Sequence, residues 1–86
     1  MNMTKMLIDI LDNGMVLKMD DGSKWTVDPG DASVCCCWTP TNEMNIQPNK
    51  TDALFNFDIT DLSSGQTVRA ARGSLSHKVK STKGKY

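Results

Sequence analysis

The stretch "LDNGMVLKMDDGSKWTV", residues 11–27, decides how the rest of the chain is read. Two turn signals, Asp12-Asn13-Gly14 and Asp20-Asp21-Gly22, bracket a short run that alternates with period two. Asn and Gly tolerate positive φ, so Asn-Gly between apolar runs is the strongest short-range mark of a hairpin. Met15, Leu17 and Met19 share one face of the run between the turns, and Trp25 and Val27 share a face of the next. Upstream, "KMLIDIL" (5–11) alternates around Ile8 and Ile10. Turns this close together predict a meander of three short strands at 5–11, 15–19 and 23–27.

Downstream the same grammar continues. Asp28-Pro29-Gly30-Asp31 is a break, because proline presets φ and glycine supplies freedom to turn. "SVCCCW" (33–38) then reads as a fourth strand closed by Thr39-Pro40, and "EMNIQ" (43–47) as a short fifth before Pro48. "PNKTDA" (48–53) reads as an exposed loop. In "LFNFDIT" (54–60), Phe55, Phe57 and Ile59 point one way while Asn56, Asp58 and Thr60 point the other. Ser63-Ser64-Gly65 reverses the chain into "QTVRAA" (66–71), a terminal hairpin. No segment carries the i, i+3, i+4 apolar pattern over the roughly 11 residues that would argue for a helix. The expected fold class is all-β: a small antiparallel SH3-like or OB-like barrel of about five to six short strands. Closure removes the edges that would otherwise invite aggregation.

Composition sets the scale. At 86 residues the chain makes one domain, expected over 1–73, and its 38% hydrophobic and 6% aromatic content allows only a small core. Six methionines and three cysteines supply part of that core. No run approaches the roughly 18 apolar residues of a membrane helix. The start of the chain lacks the apolar stretch of a secretory signal, so a cytoplasmic location is the default expectation. An odd cysteine count fits a reducing compartment. Residues 74–86, "SLSHKVKSTKGKY", hold too little apolar surface to repay ordering, so a flexible basic tail is expected. The alternation of Leu75, His77 and Val79 would allow at most a short extra edge strand.

A net charge of zero conceals a divided chain. All ten acidic residues fall between Asp9 and Asp61, whereas Arg69, Arg72, Lys78, Lys80, Lys83 and Lys85 follow with no acid among them. Such an end reaches for an anionic partner or docks on its own acidic body. Nucleic-acid binding through these six residues would be weak and salt-sensitive.

The string "DDGSKWTVDPGDASVCCCWTP" (20–40) resembles a group of small bacterial proteins without an assigned activity. Their pattern runs Asp-Gly-Ser turn, Trp, apolar residue, Pro/Asp turn, apolar strand, second Trp and Pro. "LFNFDITDLSSGQTVRAA" (54–71) is similar to their closing hairpin with its "TVRA"-like end, and the two strings cover about 40 of the 86 residues. The resemblance implies a small SH3-like or OB-like barrel and carries no functional residues. The chain departs from that pattern in its Cys triplet, where aliphatic residues are usual. It departs again at 42–53, which replaces a Gly-rich loop.

Cys35, Cys36 and Cys37 are the residues that look most like chemistry. Structural zinc takes cysteines two to four residues apart plus a second pair, and this chain has one His, His77. In a strand, Cys35 and Cys37 would share a face as candidate reactive thiols, with Cys36 beside Val34 and Trp38 on the other. Adjacent cysteines lie about 3.8 Å apart at Cα, too close for an ordinary disulfide. Packing is the simplest role for all three, since free cysteine behaves as a small hydrophobe. Serines 63, 64, 74 and 76 read as turn and tail residues, and the pairs Asp20/Asp21 and Asp28/Asp31 as turn formers. There is no calcium loop, no P-loop and no Gly-x-Gly-x-x-Gly. Asn49-Lys50-Thr51 matches a glycosylation sequon that a cytoplasmic chain would not use. Trp25 and Trp38 read as core anchors before they read as a binding platform. The functional expectation is a non-enzymatic binding module without a cofactor, its partner a protein or a second copy. Nucleic-acid binding, and a metal or redox role for the Cys triplet, are the alternatives.

Overall fold

The computed structural model describes residues 3–51 and 53–73. Among them run six strands: β1 (Met3–Leu11), β2 (Val16–Met19), β3 (Lys24–Val27), β4 (Glu43–Pro48), β5 (Phe57–Asp61) and β6 (Thr67–Arg72). They close into an antiparallel barrel in the order β1-β2-β3-β6-β5-β4. The expected all-β barrel is therefore present, built from two three-stranded meanders joined edge to edge. The tail 74–86, with Lys78, Lys80, Lys83, Lys85 and the Leu75–Val79 alternation, lies outside the described residues.

The first turn follows the Asn-Gly signal. Asp12, Asn13 and Gly14 have φ of 52°, 55° and 94°, three successive left-handed residues that swing β1 into β2. Leu17, Met19, Trp25 and Val27 are fully buried, as the alternation required. In β1 the alternation misleads. Leu7 pairs with Met19 and Ile10 with Leu17, so three residues of β1 span two of β2. This bulge turns Leu7 and Ile10 inward and leaves Ile8 41% exposed. In β5, Phe57 and Ile59 face the core, whereas Phe55 lies in the bend before the strand.

Topology explains the connection between the meanders. β3 and β4 stand three places apart in a ring of six, diametrically opposite, so residues 28–42 must cross the barrel's open end. A closed ring has no seat for a seventh strand, and between its anchors at Asp28 on Arg69 O and at Thr41 and Asn42 on Leu7 the crossing segment satisfies its backbone groups internally. The expected strand at 33–38 is thereby overturned. Pro29–Asp31 forms a 3₁₀ turn whose Gly30 N–H is bonded to the Asp28 carboxylate at 3.0 Å. α1 (Ala32–Cys35) follows at once, and Cys36 N–H donates to Ala32 O at 3.0 Å. A short apolar run does not tell strand from helical turn by itself, and here the closed ring decides.

The crossing segment is a plug. Cys35 and Trp38, three residues apart on the turn, are 0% and 5% exposed and join the core of Leu7, Leu17, Met44, Ile46, Ile59 and Val68. Trp38 Nε1 donates to Gln66 Oε1 at 3.1 Å in the β5–β6 turn. Gly14 lies directly beneath: a Cβ there would stand 2.5 Å from Ala32 O. At the far end Trp25 meets Phe57 edge to face, 5.1 Å between centroids, with the Arg72 guanidinium 5.6 Å from the Trp25 ring centre. Both tryptophans are core anchors, one at each end. Among the described residues every buried side-chain nitrogen and oxygen has a partner.

Candidate functional site

The plug sorts the three cysteines. Helical spacing sends Cys35 inward with Trp38, and leaves Cys36 and Cys37 exposed. The expected pairing of Cys35 with Cys37 on one face is overturned, because successive residues of a helical turn diverge by about 100° and not by the 180° of a strand. The Cys35 thiol donates to Gly14 O at 3.0 Å and to Ala32 O at 3.6 Å. Desolvation pushes it up to about 11, so it is a packed, protonated thiol. Cys36 and Cys37 instead both donate to one carbonyl, Ser33 O, at 3.2 and 4.0 Å. The neighbouring Cys37 side chain, and then desolvation, raise Cys36 above the ordinary thiol value.

A second feature lies on the outside of β1 and β4. Met6 pairs with Glu43, whose carbonyl accepts from Leu62 N–H at 3.0 Å. On the other side of Met6, Asp20 N–H donates to Met6 O at 2.8 Å, and the Asp20 carboxylate lies 3.4 Å from Met6 N. Asp20, Met6, Glu43 and Leu62 thus line up across neighbouring chain segments. Ile8 continues the apolar side along β1, with the bulged Asp9 beside it and Lys18 opposite Asp9. Met6 is 39% and Leu62 52% exposed. This row is invisible in the sequence, since Ile8 is exposed only because of the bulge and Leu62 because the strand ends at Asp61.

Of the predicted basic contacts, Arg69 and Arg72 lie among the described residues and make different contacts. Arg69 is exposed opposite Asp58, and its N–H donates to the Asp31 carboxylate at 3.0 Å. Arg72 is committed to the Trp25 ring. Asp21 and Asp28 act as turn formers, as the sequence suggested, whereas the Asp20 and Asp31 carboxylates accept from Met6 and Arg69 N–H on other strands. Asp21 accepts from Ser23 N–H and Oγ and pairs with Lys5 at 2.8 Å; the hydrogen bond from Lys5 holds it far below the usual carboxylate range. Buried Asp61 takes Ser63 N–H at 3.1 Å, Ser64 Oγ at 3.0 Å and Asn42 Nδ2 at 3.3 Å, so both serines organise a turn. The amide of Asn49 donates to Asp58 at 2.8 Å and to Phe55 O at 3.3 Å, which makes the sequon asparagine a loop organiser.

Comparison of the chain with protein families, with curated proteins and with solved structures finds no match. No described helix is long and apolar enough to cross a membrane.

Proposed function

We propose that the protein is a non-enzymatic interaction module, a small barrel of the SH3-like or OB-like kind whose outer β1–β4 face holds a basic segment of a protein partner. The observation that carries this is the exposed row of Met6, Ile8 and Leu62, with Asp20 and Glu43 on either side of Met6. Exposed large apolar groups with a carboxylate on either side suit a partner that brings its own apolar residues and opposite charge. The interior is filled from plug to Arg72, so a ligand meets the barrel on its outside.

Fluorescence polarisation with short labelled peptides alternating lysine with valine, against glutamate–valine counterparts, tests the reading. The lysine peptide is expected to bind, more weakly as salt rises, with affinity reduced about tenfold by Glu43→Lys. Equal binding of both peptides, or none, overturns it. The competing reading, nucleic-acid contact through Arg69, Arg72 and Lys78, Lys80, Lys83 and Lys85, predicts instead that a single-stranded oligonucleotide binds at about 50 mM salt and is released as salt rises.

A further inference from the structure

We propose that Cys36 and Cys37 form a two-thiolate site for a soft monovalent cation, with Cu(I) as its natural occupant. The inference stands apart from the β1–β4 face. It starts from exposure: Cys35 alone of the triplet contributes to the core, so packing accounts for one cysteine and not for the other two. Both exposed thiols are drawn to the same point, Ser33 O, at 3.2 and 4.0 Å. Two sulfurs are thus held side by side on one surface of the plug.

The backbone beneath them is fixed. Cys36 and Trp38 N–H groups donate to Ala32 O and Cys35 O, both at 3.0 Å, and Cys37 N–H to Val34 O at 3.4 Å. Cys35 and Trp38, buried on either side in sequence, pin the turn to the barrel. A preformed pair loses less freedom on binding than two thiols on a loose loop. Their adjacency also keeps them reduced, since an ordinary disulfide needs Cα atoms farther apart than the about 3.8 Å of neighbours.

Donor type and number select the ion. Thiolates favour soft metals, and structural zinc or an iron–sulfur cluster takes four protein ligands. Among the described residues no three His, Cys, Asp or Glu come together as a metal site. Two sulfurs alone satisfy a closed-shell monovalent cation that accepts two-coordination, which is the habit of Cu(I). Binding exchanges two S–H bonds for two Cu–S bonds and releases two protons to solvent. No electron moves, and the site gains one net negative charge.

The full chain, reduced and free of metal, is titrated anaerobically with Cu(I) against a competing chromogenic chelator. One Cu(I) per chain with two protons released is expected, with near-ultraviolet sulfur-to-copper absorption. Cys36→Ser and Cys37→Ser each abolish chelator-competitive binding, while Cys35→Ala retains it; circular dichroism shows each variant folded. Retention by the Cys36→Ser/Cys37→Ser double variant, no uptake by the native chain, or one cation shared between two chains overturns the proposal.

Discussion

Cys35 spends the folded state as a neutral thiol inside a barrel end, and that has a measurable consequence. Burial raises it from 9.0 to about 11, whereas in the unfolded chain it ionises at its ordinary value. Between these values the unfolded state binds fewer protons than the folded one, so the contribution of Cys35 to stability falls as pH rises. Below about 9 that contribution is fully present. Urea denaturation of the native chain and of Cys35→Ala on both sides of this window is expected to show a steeper alkaline loss in the native chain. At neutral pH the variant loses about 1 kcal/mol from the vacated sulfur position. If the two proteins lose stability in parallel, the thiol is not held neutral. Which of three identical neighbours would be buried was not legible in the sequence, because that depends on whether successive side chains diverge by a strand's angle or a helix's.

At the scale of elements, the plug concentrates its hold in Trp38. Its ring is 5% exposed and its Nε1 reaches Gln66 at 3.1 Å. Trp38→Ala is expected to cost about 3–5 kcal/mol, a large share of the about 5–10 kcal/mol available to a domain of this size. Trp38→Phe keeps most of the packing and loses the hydrogen bond, about 1 kcal/mol. Chemical denaturation of both variants checks the order, and equal costs would show that the ring does not seal the end. The elements show what sequence reading reaches and where it stops. The two Gly turns and the inward set Leu17, Met19, Trp25, Val27, Phe57 and Ile59 carried through, because local φ preference and the core face set them, while Val16 and Thr26 between them are buried as well. The helical turn at 32–35 did not, since a ring closed by distant strands imposes it. The bulge at Ile8 escaped for the same reason: the register of β1 against β2 and β4 fixes it, and no local residue signal announces it.

For the molecule as a whole, closure joins the halves. β1–β4 and β3–β6 are the two seams between the meanders, and both link residues far apart in sequence. Neither meander alone buries its edges or both faces, so the barrel is expected to unfold as one unit. Tryptophan fluorescence, with Trp25 at one end and Trp38 at the other, should give the same denaturation midpoint as far-ultraviolet circular dichroism. Separated midpoints would mean that the halves come apart independently. The barrel class was legible because its repeated turns are local. The acidic apolar row across Met6, Glu43 and Leu62 was not, since it is assembled from residues that only the seams bring together.

The crossing from β3 to β4 gives the barrel a hatch. From Gly30 to Pro40 the segment's backbone bonds are its own, and its links to the walls run through the Cys35 thiol, the Trp38 indole and the Asp31 carboxylate. Lifting it breaks none of the pairs that join one stave to the next. Solvent can therefore reach Cys35 by a route that leaves the ring standing, and the rate at which that thiol is labelled becomes a clock for the hatch alone, separate from the far slower collapse of the cask.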